Sequence, residues 1–596
     1  MVDPPPHQAR DTPGGTRTPT GTAPSATSDP RPPDIDRPHA STPRTPPSDQ
    51  PVPAPQPPVP CASAQSARPG AWRQAAGRTK AAVTGTTGLG ALGLIGAAQL
   101  TAASYLARGA HPRGVPTVTV WLLGTILLGA AWLGLGRRLD RLPTRRLLVI
   151  GLSWVATLAA SAPLASRDGY AYACQGALVA HRVSPYTHGI AALPCQWLHA
   201  VPELWWRTPA PYGPLWLLLS GGAAAGSGGH LGVAIALLRV IALAGVALIA
   251  WAGHRLAVRL GVDPRRAAWL GVLSPLVLVH AVSGVHNDAL LAGFVVAGFA
   301  VAIRPGSAGG IGPAAAGRAV PGRAVPGRAL LGQAGAGQAA AGQVAAGRAT
   351  AWWVAASRAV AAGALLGLAV GVKATVLVVL PFVVLLAAGD RRWWEIARTA
   401  LATCLGLAAG YAVFAVPSGY GLGWLGALRG TTDLIQWTSL PTGLGMTAGY
   451  LARALGRPDL ATPALAAARV AGLLVLAAIL VALWLRARSR VAQPRSVVAA
   501  AGAAMVATVL LAPVAFPWYL LAPLAVLAYS VSTDRVRYRL GLAAAVLALF
   551  VLPDGSGLAA LTKLPGALLD TVVIVTVLVV VLRHRAGRAT PTATEW

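Results

Sequence analysis

Acidic residues are scarce in this chain. Only 19 Asp and Glu stand against 49 Lys and Arg in 596 residues, and the four charged types make up 11 %. A soluble globule carries about 25 % charged residues, so this chain has too little charge to cover a water-facing surface. Cysteine is sparse too. Cys61, Cys174, Cys195 and Cys404 are the four, and no C-x-x-C pair marks a metal centre. No glycine-rich strand-to-helix fingerprint for a nucleotide is present. The start of the chain lacks the short apolar core behind basic residues that a cleavable signal peptide needs. The net charge of +30 has no recognition module beside it, which argues against nucleic acid as a partner.

Apolar residues fill the space left. They reach 55 %, with a mean hydropathy of +0.57. They fall in stretches of about 15–22 residues between short arginine-rich turns, as in a polytopic α-helical membrane protein. Expected spans are 83–107, 116–136, 147–165, 232–252, 266–284, 289–304, 355–372, 374–388, 399–417, 464–485, 497–514, 518–532, 540–553 and 566–582. The fold class is therefore an all-α membrane bundle of about 12–14 spans with outward-facing interfacial loops and helices. The pair of stretches flanking Lys373 is short enough to form a hairpin that does not fully cross.

Arginine sets the orientation. Arg137, Arg138, Arg141, Arg145 and Arg146 form one basic turn, and others lie near 255–266, 391–398, 486–495, 535–539 and 583–588. Placing all of them in the cytoplasm puts both termini inside and the other span ends outside, at the cell membrane. Residues 1–78 are rich in Pro, Ser and Thr and are expected to be a disordered cytoplasmic tail. A first membrane block covers 79–304 with a long outward loop at 166–231, and a second covers 351–585 before a short tail at 586–596. Between them, 305–350 holds a five-residue unit ending Gly-Arg or Gly-Gln. Glycine in every unit disfavours a helix there, so a structureless cytoplasmic loop is expected.

Polar residues gather at the outward span ends. Asp168, after Arg167, can take a proton from a hydroxyl, or it can pair with Arg167 or cap the next helix. Asn287 or Asp288 can be simply the N-cap of the next helix, or the run His286-Asn287-Asp288, longer than a cap needs, can be functional, since a His beside a carboxylate can hold a phosphate, sugar hydroxyls or a metal. Lys373 interrupts an apolar run, which marks either a functional cation or a lysine snorkelling to the surface. Tyr170, Tyr172, Gln175, Tyr186, Tyr212, Trp518 and Tyr519 lie in outward segments rich in Pro and Gly. Residues 170–181 have the spacing of a helix lying in the membrane plane. Gln436-Trp437-Thr438 and Pro441-Thr442-Gly443 are weaker candidates. Cys174 and Cys195 share the outward loop, where either a disulfide or two buried thiols is reasonable.

The segments RDGYAYACQG (167–176), SPY (184–186), TPAPYGPLW (208–216), HND (286–288), VKATVLVVLP (372–381) and FPWYLL (516–521) together resemble the GT-C membrane glycosyltransferases. They look most like the actinobacterial polyprenol-phosphomannose-dependent α-1,6-mannosyltransferases. The resemblance implies a donor mannose on a polyprenyl phosphate, and a mannan or mannosylated glycolipid acceptor extended through its 6-hydroxyl. It implies Asp168 as general base and inversion at the sugar. Members often carry two acids where this chain has Arg167-Asp168, so Asp288 is the candidate for the second. Lys373, with Arg167 or His286, would stabilise the departing phosphate, and Asn287 and the aromatic residues would orient substrate. No cofactor is required by this reading, and a divalent metal is left open. Alternatives are an arabinosyl- or protein O-mannosyltransferase, or a transporter of lipid-linked saccharides.

Overall fold

The computed structural model describes residues 85–304, 333–428, 430 and 434–589, with side chains described except at 333–351 and 585–589. The expected disordered tail 1–78 lies outside these residues. Among the described residues the chain is helical, and the one β feature is an antiparallel bridge between Val551 and Gly557.

The first block contains α1 (Thr86–Leu106), α2 (Val115–Gly136), α3 (Thr144–Ala159), α4 (Asp168–Ala180), α5 (Pro214–Gly226), α6 (Leu231–Arg259), α7 (Pro264–Gly271) and α8 (Asp288–Ala302). The second contains α9 (Gln333–Val370), α10 (Leu380–Ala388), α11 (Trp393–Ser418), α12 (Leu440–Ala454), α13 (Ala461–Arg488), α14 (Pro494–Leu511), α15 (Leu521–Ala528), α16 (Asp534–Leu547) and α17 (Lys563–Ala589). Starts follow local chemistry. Asp263 caps α7 by accepting from the Arg265 N–H, and Ser439 caps α12 by accepting from the Thr442 N–H. Proline opens α5, α7 and α14, where its missing N–H costs nothing.

Among the described residues eight helices are long and apolar enough to cross a bilayer, or nine spans if a bent pair counts as one. Their apolar residues point outward as well as inward. Only 11 % of the most apolar stretch of Pro458–Arg488 is buried, and Leu474, Val572 and Val581 are among many exposed aliphatic side chains. A helix apolar on all sides and unburied belongs in lipid, so this is a multi-pass membrane protein.

The other six expected spans are shorter or broken. The stretches 266–284 and 289–304 become a π-helical turn, Val277–Ser283, meeting α8 at 112°. The stretch after Lys373 splits into a 3₁₀ segment, Ala374–Val379, and the nine-residue α10, which ends at Gly389 with φ 67°. The stretch 518–532 shrinks to Pro517–Ala528, and α3 and α16 have 16 and 14 residues. The expectation for 305–350 is corrected in part. Residues 333–350 form the first part of α9, whereas 305–332 lie outside the described residues. The last repeat units are rich in alanine and run into an apolar helix, so they extend an existing nucleus instead of forming their own. Likewise, residues 586–589 of the expected tail finish α17.

Broken spans expose carbonyls that lipid cannot satisfy, and side chains take them up. Arg239, buried in the first third of α6, donates to the carbonyls of Val282, Ser283 and Ala159 at 3.0–3.1 Å. After α14, Ser439, Thr442 and Thr438 donate to the carbonyls of Ala512, Pro513 and Ala515 at 2.6–2.7 Å. Arg469 in turn donates to Thr442 Oγ1 at 3.1 Å and to the Leu434 carbonyl. These two sutures frame the site.

Candidate active site

Asp168 is the first residue of α4. The chain reaches it through Ala165, whose φ of 57° is unusual for a residue with a side chain. Ser166 Oγ accepts from the Asp168 N–H at 3.0 Å, and Arg167 Nε donates to the Asp554 carbonyl at 2.9 Å. Asp168 and Arg167 therefore diverge and do not pair. Most of α4 is buried, and it packs against α5. Small residues permit this: a Cβ at Gly176 would sit 2.1 Å from the Ser220 carbonyl oxygen. A Cys174–Cys195 disulfide, with Cα atoms 5.8 Å apart, ties α4 to the loop that follows.

A second backbone outlier, Val285 with φ 62°, precedes His286. Two strained residues next to two polar clusters fit the tendency of backbone strain to collect at functional sites. Arg167 and Asn287 occupy the N-cap positions of α4 and α8, and neither makes a side-chain capping bond. His286 and Asn287 are fully buried, and neither the ring nitrogens nor the amide has a hydrogen-bond partner within the protein. His286 Nδ1 lies 3.6 Å from Asp168 Oδ2, too long for a hydrogen bond. Its ring stacks on Trp518 at 4.3 Å, and Trp518 stacks on Phe516 at 4.6 Å.

Lys373 sits in extended backbone just after α9. It donates to Asp288 Oδ1 at 3.0 Å and lies 3.8 Å from the ring centre of Tyr519. Sequence motifs deliver it there. The Gly213 N–H and Trp216 N–H donate to the carbonyls of Val372 and Gly371 at 3.1 and 3.0 Å. A Cβ on Gly213 would come within 2.5 Å of the Gly371 backbone, so glycine is required at this crossing. Tyr186 Oη donates to the Tyr212 carbonyl at 2.8 Å, and the Ala210 N–H donates to the Pro185 carbonyl at 2.8 Å. The SPY and APYGP motifs thus lock together and brace Lys373.

One cleft of about 360 Å³ collects these groups. Asp168, Gln175, Tyr212, Lys373, Trp518 and Tyr519 line it, with Trp205, Thr208 and Thr375, which sequence reasoning had not singled out. Asp288 lines a narrower chamber of about 70 Å³ that shares Thr375 and Tyr519 with the main cleft. Tyr172 stands behind Tyr212, edge-on at 5.4 Å, and Tyr186 packs beneath it. Arg167 and Tyr170 lie in a separate outer cleft with Arg108 and His199, and His286 and Asn287 are buried without lining the main cleft. Burial pushes the Asp168 carboxyl up to about 6, with the Lys373 charge pulling part of the way back. Burial likewise pushes the Tyr172 and Tyr212 phenols up, keeping them neutral. A carboxyl poised near neutrality, beside a lysine on a π face, can accept a proton at one point and hold an anion at another. Among the described residues no three His, Cys, Asp or Glu gather as a metal-binding group.

Broken spans around a carboxylate–lysine cleft define a multi-pass membrane enzyme. Residues 75–389 match the family described as "Alpha-(1->6)-mannopyranosyltransferase, N-terminal domain", and 441–582 match a model described as the MptB C-terminal domain. The alpha-(1->6)-mannopyranosyltransferase A of Mycobacterium tuberculosis is 33 % identical over 75 % of this chain and 78 % of its own length. A probable alpha-(1->6)-mannopyranosyltransferase of Mycolicibacterium smegmatis is 33 % identical over 69 % of this chain and 70 % of its own. The alpha-(1->6)-mannopyranosyltransferase B of Corynebacterium glutamicum is 28 % identical over 74 % and 68 %. No solved structure matches. The chain belongs to the alpha-(1->6)-mannopyranosyltransferase family, and it is a glycosyltransferase of the mannosyltransferase class.

Proposed function

We propose that this enzyme transfers mannose from a polyprenyl-phosphate-mannose to the 6-hydroxyl of a mannan or mannosylated glycolipid, at the outer face of the cell membrane and with inversion. The observation that carries this reading is the placement of Asp168 and Lys373 in one cleft with aromatic walls. Asp168 removes the proton from the acceptor hydroxyl as the hydroxyl oxygen attacks the anomeric carbon. The bond from that carbon to the phosphate oxygen breaks, and the phosphate leaves as an anion. It needs charge stabilisation more than protonation, which Lys373 supplies. Asp288, paired to Lys373, holds that cation in place and chiefly positions it. A double displacement needs a second carboxylate as nucleophile facing the sugar. Among the described residues Asp168 is the one acid lining the main cleft, which favours a single inverting step.

The donor assignment is supported by the apolar part of the cleft wall, to which Leu428, Leu434, Val514 and Phe516 contribute, since an isoprenoid chain needs an apolar surface to lie on. The outward placement is supported by the Cys174–Cys195 disulfide, because such bonds persist on oxidising faces. The test is sugar transfer in membranes expressing the chain, with radiolabelled polyprenyl-phosphomannose and a short α-1,6-mannoside. The parent is expected to transfer, and Asp168→Ala, correctly inserted, is expected not to. Equal transfer by both removes Asp168 from the chemistry. Transfer from a nucleotide-mannose but not from the lipid donor overturns the donor assignment.

A further inference from the structure

A second cleft is larger than the one that holds Asp168. It is a groove of about 920 Å³ between α3, α6 and α7, closed at its back by Tyr529. Its walls are aliphatic: Leu148, Leu152, Leu243, Val246, Ala247 and Val272. One end is polar, where Thr144, His254, Arg255 and the Asp263–Arg265 ion pair lie. That end is remote from the active site. Leu231, at the start of α6, lines the outer cleft with Arg167, whereas Arg255 lies 24 residues further along the same helix, or about 36 Å at 1.5 Å per residue.

The charge at this end is one-sided. Arg265 is neutralised by Asp263 at 3.0 Å, but among the described residues no acid lies within ion-pair distance of Arg255. Its guanidinium instead lies 3.8 Å from the ring centre of Trp251, which is exposed, and His254 beside it is exposed too. Arg145 and Arg146 follow Thr144 in the first turn of α3. A tryptophan under an arginine is an anchor for the headgroup level of a bilayer. A basic pocket between membrane helices, continued by an apolar groove, matches an anionic lipid in both parts.

We propose that this groove is a binding site for one anionic phospholipid, with its acyl chains along α3 and α6 and its phosphate at Arg255. It lies on the face opposite the catalytic cleft and is independent of the transferase reaction.

The experiment uses the full chain purified in detergent, with lipid retention read by native mass spectrometry. Three probes are compared: phosphatidylglycerol, phosphatidylcholine with the same acyl chains, and glycerol phosphate as the headgroup alone. Phosphatidylglycerol is expected to bind about fivefold more tightly than phosphatidylcholine, the effect of one basic side chain at an anionic headgroup. Arg255→Gln is expected to bring that ratio to about one and leave phosphatidylcholine unchanged. Ala247→Trp, which fills the groove from an exposed position on α6, is expected to reduce retention of both lipids while mannosyl transfer persists as the control for folding. Equal binding of the two lipids by the parent, or an unchanged ratio in Arg255→Gln, overturns the proposal. So does binding of glycerol phosphate as tight as that of phosphatidylglycerol, which would make this a phosphate site without a lipid groove.

Discussion

Replacing Asp168 by Asn keeps the side chain's shape and removes its charge, which separates the group's cost to folding from its use in chemistry. Burial raises this carboxyl from its ordinary 3.8 to about 6. The folded protein therefore binds this proton more tightly than the unfolded chain does. The linkage sign follows: folding is penalised increasingly as pH rises from 3.8 towards 6, and fully above that. At about 1.4 kcal/mol per pH unit, the full penalty is about 3 kcal/mol. Asn carries no such penalty, so Asp168→Asn is expected to be more stable than the parent by about 3 kcal/mol near pH 7.5. The gain shrinks to about 1 kcal/mol near pH 4.5 and vanishes below about pH 3, where the acid is neutral in both states.

The assay is chemical unfolding in detergent at several pH values, paired with the transfer assay. The Asn variant is expected to transfer no mannose at any pH. The parent's kcat/KM is expected to fall about tenfold per pH unit below about 6, as the base becomes protonated. A variant less stable than the parent at neutral pH would refute the reasoning, because it would mean that the charge serves an attraction, such as a pair with His286. A stability gain independent of pH would refute it too.

Removing Lys373 strands Asp288 as a buried, unpaired charge, so Lys373→Ala is expected to lose about 3–5 kcal/mol by the same unfolding measurement. Lys373→Met combined with Asp288→Asn is expected to recover most of that stability but no transfer. Gly213→Ala drives a methyl into the Gly371 backbone and shifts Lys373, and a shift of about 1 Å is expected to cost about 10²-fold in kcat with insertion intact. Cys174→Ser opens a disulfide spanning 21 residues and is expected to cost about 3 kcal/mol, matched by reducing the parent with a membrane-impermeant thiol.

Hydropathy and arginine spacing made eight of the spans legible, because length and apolarity are all that a bilayer asks of a crossing helix. They could not reveal the breaks. The stretches 266–284 and 289–304 read as two crossings because Val277–Ser283 is as apolar as any helix. The turn is fixed by hydrogen bonds from Arg239, a residue distant in sequence. Arg239 did carry a signal, as an ionisable residue inside an apolar run. The polar motifs at span ends were readable one by one, and most of them meet in one cleft. What the sequence hid was which neighbours face together. Arg167 and Asp168 are adjacent yet line different clefts, because α4 starts between them and turns its first residue inward. Thr438 and Thr442 looked like weak outward candidates, yet their hydroxyls, with that of Ser439 between them, hold the cleft wall at 512–515.

The division of labour between the two acids is the remaining step. Asp288 looks like the stronger charge, since it is more deeply buried and directly paired, but those properties argue against a base. One of its oxygens is committed to Lys373, and it faces the narrow chamber instead of the main cleft. A base must reach the hydroxyl it deprotonates, and Asp168, with 18 % of its side chain exposed, faces the open volume. Asp288→Asn is therefore expected to lower kcat by about 10²-fold through a misplaced Lys373. It should keep an acid limb, moved below that of the parent, because the limb belongs to Asp168 and the Asp288 charge is one of the causes that raise its carboxyl. If Asp288 were the base, the residual activity of Asp288→Asn would have no acid limb, and Asp168→Asn would keep one.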